Sequence, residues 1–266
     1  VPDLGEGGAL SAAFQAGVQP GAPAAHAAVL AGRALPALLA ALEPLRALGA
    51  ECLVVDGGSR DASVEIARRA GVQVIESPPG RARQMNAGAA ASHGELLWFL
   101  HADSHLTPEL LAHWPRLLCA LTGRTTPAGG PAHPPAALES GPGPEGWGWF
   151  DVRLLGRHPL LRVVERLMNL RARLSRVATG DQGLFVHRPL FERVGGFPEI
   201  PLMEDVAISK ALRRIARPRP QRVRLHTSAR RWEQHGVLRT ILLMWRLRLA
   251  YFLGADPAQL ARRYYP

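Results

Sequence analysis

Short, almost purely apolar runs recur along this chain, and segments of helical period separate them. Cys52-Leu53-Val54-Val55 and Leu96-Leu97-Trp98-Phe99-Leu100 are too short for a buried helix and too continuous for a strand with one wet face. Such runs are what a parallel strand covered on both faces needs. Residues 72–75 form a weaker run of the same kind. Between the runs, residues 61–70 and 82–91 read as helices. Before them, residues 35–48 place Leu35, Leu38, Leu39, Leu42 and Leu45 on one helical face, with Gly49 as a stop. Thr107-Pro108-Glu109 reads as an N-cap, a proline in the first turn and an acidic start to another helix. This alternation predicts an α/β fold, a mostly parallel sheet flanked by helices.

Farther on, residues 147–154 and 184–186 read as strands and 204–214 as a helix. Residues 160–177 are amphipathic, with Val163, Leu167, Leu170 and Leu174 on one side. That side is expected to pack on the core and to leave Arg162, Arg166, Arg171, Arg173 and Arg176 solvated. Residues 237–253 are strongly apolar but interrupted by Arg239, Arg246 and Arg248, which a membrane span would not place there. The resulting division is a loose arm (1–32), a first half (33–122), a Gly/Pro-rich flexible insert (123–146) and a second half (147–266) ending in basic helices.

Charge narrows the partners. Lys plus Arg is 32 against 22 Asp plus Glu, a formal net charge of +10, and Lys210 is the only lysine. Such a balance suits phosphate, nucleic acid or an anionic membrane face, although codon bias toward arginine explains it equally well. There is no helix-turn-helix, zinc spacing or RNP-like strand, so no specific nucleic-acid partner is expected. Cys52 and Cys119 lie in apolar runs, which argues against a disulfide scaffold. With no targeting segment, the expected compartment is the cytoplasm.

Three polar clusters follow apolar strands, where open α/β sheets bind ligands. In Asp56-Gly57-Gly58-Ser59-Arg60-Asp61 a carboxylate and glycines suit a ribose or base, or simply a capped turn. In His101-Ala102-Asp103 the alternating pair puts an imidazole and a carboxylate on one side, donors for Mg²⁺ or Mn²⁺ against a diphosphate. Glu204-Asp205 opens a helix, where it complements the helix dipole or supplies a general base.

Taken in order, these motifs resemble the family 2 glycosyltransferases, in wording most like the radical-SAM/selenodomain-associated transferase 2 subgroup. The motifs are Val54-Val55-Asp56-Gly57-Gly58-Ser59-Arg60-Asp61, Gly80-Arg81-Ala82-Arg83-Gln84-Met85-Asn86-Ala87-Gly88, His101-Ala102-Asp103, Gly180-Asp181-Gln182-Gly183, Gly195-Gly196-Phe197, Met203-Glu204-Asp205 and Arg230-Arg231-Trp232. The resemblance implies a GT-A-like fold, a nucleotide-diphosphate sugar donor, a divalent cation (Mn or Mg) and a hydroxyl acceptor. It implies donor contacts from Asp56, Gly58, Ser59, Asp61, Arg81, Arg83, Asn86 and Asp103. Asp103 and His101 would be the metal ligands, with His101 standing where the family has its first Asp. Asp181, Gln182, Arg231 and Trp232 would lie on the acceptor side. Asp205 would be the general base, with Glu204 as its rival. The family's opening strand ends in Pro-x-x-Asn-Glu, and here the corresponding region is only Ala27-Ala28-Val29-Leu30-Ala31-Gly32-Arg33. The basic helices suggest a lipid-linked acceptor and a position peripheral to an anionic membrane face. A nucleotidyltransferase, a non-catalytic relative and a basic nucleic-acid-binding module are the competing functions.

Overall fold

The computed structural model describes residues 25–30, 35–47, 49–122 and 146–264. The expected insert at 123–146 therefore lies outside the described residues except for Gly146, as does the arm through residue 24.

The first sheet is built as the apolar runs require. Its strands are β1 (Ala25–Leu30), β2 (Glu51–Asp56), β3 (Gln73–Glu76), β4 (Leu96–Leu100), β6 (Trp147–Gly148) and β8 (Phe185–His187). They lie in the order β3-β2-β1-β4-β8-β6. The first four are mutually parallel, and β8 runs antiparallel to both of its neighbours, β4 and β6. The two halves of the chain thus share one sheet.

The expectation of a loose arm through residue 32 fails at β1. This alanine-rich segment has little strand propensity of its own. It is nevertheless an interior strand, with Val29 opposite Val54 on one side and Leu100 on the other. Ladder hydrogen bonds along both edges, which no local pattern announces, hold it there.

Helices cover both faces. They are α1 (Leu35–Ala47), α2 (Ser63–Arg69), α3 (Arg81–Ala91), α4 (Pro108–Thr122), α5 (Leu160–Ser175), α6 (Arg188–Arg193), α7 (Glu204–Ile215), α8 (Arg230–His235), α9 (Val237–Phe252) and α10 (Pro257–Tyr264). The five leucines expected on one face of α1 are all buried. Thr107 caps α4, its Oγ1 accepting from Leu110 N–H at 3.2 Å. Side chains of β4 alternate across the sheet. Leu96, Trp98 and Leu100 join a core with α1 and α4, where Trp98 stacks on Trp114 at 4.1 Å. Leu97 and Phe99 join a second core with Phe191 and Phe197.

A small second sheet, unforeseen, has the order β5-β9-β7, formed by Ser104–His105, Gln221–Ser228 and Phe150–Leu155. The alternation of Val223, Leu225 and Thr227 with polar residues was the available signal for β9.

The main reversal is α5. Val163, Leu167, Leu170 and Leu174, expected in the core, are exposed, while Leu161, Val164, Glu165 and Ala172 are buried. Three of the arginines expected in solvent turn inward. Arg162 bonds the Leu154 carbonyl. Arg173 reaches Asp151 at 3.0 Å, and Arg171 reaches the Val177 carbonyl at 3.3 Å. Tethering β7 backbone with polar groups, including Asn169 on both N–H and C=O of Val152, decides which face of α5 turns in.

Candidate active site

The carboxyl ends of β1 to β4 open at one edge of the sheet, and the first two polar clusters sit there. Asp56 ends β2 and is buried. Its carboxylate accepts from Gly58 N–H at 3.0 Å and Ser59 N–H at 3.1 Å. Burial raises its pKa, but the hydrogen bonds from Ser59 and Gly58 outweigh that and hold it below the usual carboxylate range. Asp56 therefore shapes the turn, with Gly58 at φ +94° and Ser59 and Asp61 exposed beside it. Asp61 accepts from Ser63 N–H at the start of α2.

Helix α3 closes over this turn. Gln84, to which the motif assigned no role, donates from Nε2 to the Val55 carbonyl at 3.0 Å and packs on Gly57. Arg81, in the first turn, faces Glu204 Oε1 at 3.8 Å. Arg83 pairs with Glu199 at 3.0 Å on the surface. Asn86 is expected at the donor. Instead its amide clamps a loop, donating to the Phe197 carbonyl at 2.8 Å and accepting from Phe197 N–H at 2.9 Å. Both ends of that side chain are occupied by backbone.

After β4, a tight turn places His101 half-buried and Asp103 exposed. A 3₁₀ turn at Gly180–Gln182 comes against them. A methyl group on Gly180 would overlap His101 Nε2, so only glycine fits. Gly180 N–H donates to Asp205 Oδ2 at 2.9 Å. This one turn thus ties the β4 cluster to the start of α7. Asp103, Asp205 and Arg81 all lie within electrostatic reach of both His101 and Asp181, which also reach each other. Burial lowers the His101 pKa and Arg81 adds to that, against Asp181, Asp103 and Asp205, so the imidazole is held toward its neutral form. Burial raises the pKa of Asp181, opposed chiefly by His101. Met203, at φ +71°, puts a non-glycine residue in the left-handed region just before Glu204 and Asp205, the kind of strain that concentrates at functional sites.

Glu204 is only 3% exposed. Burial, then neighbouring Asp205, pushes its pKa up to about 7 against the pull of Arg81. Asp205 is half-buried, so a ligand reaches it more readily than Glu204. Its second oxygen accepts from Val206 N–H at 2.7 Å. A small cavity with room for about one water runs from Met85 and Phe99 past His101 and Gly180 to Glu204 and Asp205.

Two arginines missed as site residues lie within electrostatic reach of Asp205. Arg171 has Nε and Nη2 buried with no hydrogen-bond partner among the described residues. Burial, then Arg248, lowers its pKa to about 10, with Asp205 opposing. Arg248 of α9 is likewise lowered by burial and held up by Asp205 and Asp181. Partly desolvated guanidiniums favour anionic neighbours, here Asp205 for both and Asp181 for Arg248. Only their inward direction, which the sequence does not carry, distinguishes them from surface arginines.

Of the expected acceptor-side residues, Asp181 joins the cluster and Gln182 does not. Gln182 is fully buried, and its Oε1 accepts from Thr179 N–H at 3.1 Å, capping the turn. Trp232 packs beside the core of Val152, Leu154 and Leu161. Arg231 lies in α8, and its side chain is outside the described residues.

For a divalent cation, the donor set at this edge is the Asp103 carboxylate and the His101 imidazole. No cluster of three or more His, Cys, Asp or Glu side chains arranged for a metal occurs among the described residues. Two protein donors of these types fit a cation that takes its other ligands from phosphate oxygens and water.

Residues 31–117 match the family model for glycosyl transferase family 2. An uncharacterized glycosyltransferase of Mycobacterium tuberculosis (strain H37Rv) is 34% identical over 101 residues, 36% of this chain and 44% of the relative. A counterpart in Mycobacterium bovis matches equally. The chain thus spans under half the length of the curated relatives it matches. Among solved structures, glucosyl-3-phosphoglycerate synthase from M. tuberculosis with Mn²⁺, uridine diphosphate and phosphoglyceric acid superimposes with a TM-score of 0.51 at 18% identity, covering 83% of this chain and 72% of that one. The same enzyme with Mg²⁺ and uridine diphosphate gives a TM-score of 0.50 at 15% identity, covering 83% and 73%. This likeness bears out the expected GT-A-like α/β fold.

Proposed function

We propose that this chain, whose residues 31–117 carry the glycosyl transferase family 2 sequence, moves a sugar from a nucleotide-diphosphate donor to an acceptor hydroxyl. The observation that carries the reading is the Gly180 turn, which brings His101 at the end of β4 and Asp205 at the start of α7 to one point. A donor-side strand end and a candidate base meet there.

The Asp56 turn and the first turn of α3 hold the nucleotide, with Arg81 and Arg83 toward its phosphates. Asp103 and His101 would hold a divalent cation, and the Mn²⁺ or Mg²⁺ named with the M. tuberculosis synthase structures supports the use of such a cation. A cation bound there would supply positive charge against the diphosphate leaving group. Asp205, the more accessible carboxylate, takes the acceptor proton as the hydroxyl oxygen bonds to the anomeric carbon. The bond from that carbon to the donor phosphate breaks, and its electron pair leaves with the nucleoside diphosphate. Glu204 and Arg81 position the start of α7 rather than react. The half-buried Arg171 and Arg248 receive an anionic group of the acceptor, which we take to be lipid-linked. The chain then works in the cytoplasm, peripheral to an anionic membrane face.

A thermal-shift screen of nucleotide-sugars with and without Mn²⁺ tests the reading. A ligand at 100 times its Kd adds about 2.7 kcal/mol of stability. The expected hit is a nucleotide-sugar whose effect needs the cation. Stabilisation by nucleoside triphosphates alone, with pyrophosphate release, would replace this reading with nucleotidyl transfer.

A further inference from the structure

Ten of the twelve exposed large apolar side chains among the described residues belong to α5, α9 and the residue that follows α9. On α5, Val163, Leu167, Leu170 and Leu174 form a stripe at helical spacing, with Leu174 77% exposed. On α9, Leu238, Leu242, Trp245, Leu249 and Phe252 form another, with Trp245 68% exposed, and Leu253 follows. The helices touch, and their inner faces share one apolar cluster through Val164, Met168, Val237 and Ile241. Scattered exposed leucines are ordinary, but two neighbouring stripes of this kind mark an interaction surface. The inverted polarity of α5 strengthens the point. Folding in water alone gains nothing by turning Glu165, Asn169 and Arg173 inward while four large apolar side chains stay wet.

Charge identifies the occupant. Helices α9 and α10 contain no Asp or Glu, and the one acid of α5, Glu165, is buried. Exposed Arg166, Arg239, Arg246, Arg262 and Arg263 lie along the three helices. Between α9 and α10 an apolar groove, lined by Leu243, Leu247 and Leu253, carries Arg246 and Arg263. A second copy docked face to face would set arginines against arginines with no acid from these helices between them. An anionic lipid surface satisfies both features, because acyl chains take the leucines and Trp245 while headgroup phosphates take the guanidiniums. No helix among the described residues is long and apolar enough to cross a membrane, so these helices would lie in the interface plane.

We propose that α5, α9 and α10 form a docking face for an anionic lipid surface, inserting Leu174, Leu242, Trp245 and Leu249 and seating the arginines among the headgroups. The inference deepens the lipid-linked reading above and rests on it for its purpose. Vesicle binding itself needs no donor, cation or acceptor, so it stands or falls separately from sugar transfer.

The test is flotation of the full chain with phosphatidylcholine vesicles, with and without phosphatidylglycerol. The protein should float with the anionic vesicles, less so as salt rises. Leu242→Ser/Trp245→Ser/Leu249→Ser should lower the bound fraction about tenfold with an unchanged melting curve, since these side chains cover no core. Should that variant unfold, Leu170→Ser/Leu174→Ser on α5 gives the same reading. Failure of the parent chain to float overturns the proposal, as does undiminished flotation of the folded variants. A stable dimer that these substitutions dissolve would assign the face to a second copy and overturn it equally.

Discussion

Glu204→Gln should change how the stability of this protein depends on pH. The carboxyl is 3% exposed, sits next to Asp205 and meets one guanidinium at 3.8 Å, and its pKa rises from 4.5 to about 7. In the unfolded chain it titrates near its ordinary value. The folded state therefore binds its proton more tightly. The stability linked to that proton is fully present below about pH 4.5 and is lost as pH rises through about 7. At 1.36 kcal/mol per pH unit, the displacement from 4.5 to about 7 is worth roughly 3 kcal/mol. Glutamine keeps the shape and never ionises. The variant should match the parent in acid and exceed it above pH 7 by up to about 3 kcal/mol, less the lost attraction to half-exposed Arg81. Urea unfolding at steps between about pH 5 and pH 8 measures this directly. Parallel curves for the two proteins would refute the burial argument, because they would mean that Glu204 titrates alike folded and unfolded.

Three further outcomes are expected. Asp205→Asn should cut turnover by about 10²- to 10⁴-fold and leave the donor Kd nearly unchanged, as read by steady-state kinetics and calorimetry. Equal turnover would remove Asp205 from the base role. Asp103→Asn should weaken Mn²⁺-dependent nucleotide binding in calorimetry without altering the fold, and His101→Ala should do so less, because water replaces a neutral ligand. Asn86→Ala should cost roughly 2–4 kcal/mol in urea unfolding, since it strips both backbone groups of Phe197 of their side-chain partner. A cost near zero would mean that the clamp is not formed in solution.

Much of the fold was legible in the sequence. Continuous apolar runs declared β2 and β4, because a strand covered on both faces can carry almost nothing else. The leucine face of α1 declared both its period and its partner. The polar clusters at Asp56, His101 and Glu204-Asp205 could be located because they interrupt apolar runs at strand and helix ends, where an open sheet leaves room for a ligand. What escaped depended on contacts distant in sequence. Ala25–Leu30 is a strand only because β2 and β4 flank it. Asn86 carries an amide as suited to a ligand as to a backbone, and only the tertiary fold brought Phe197 to it. Arg171 and Arg248 resembled solvated charges until helix packing turned them toward Asp205. The period of 160–177 gave two faces and not their directions. A 3.6-residue repeat is identical whether leucines meet a protein core or another apolar medium. Polar tethers from α5 to β7 settled which way the helix faces, and they exist only once both elements are in place.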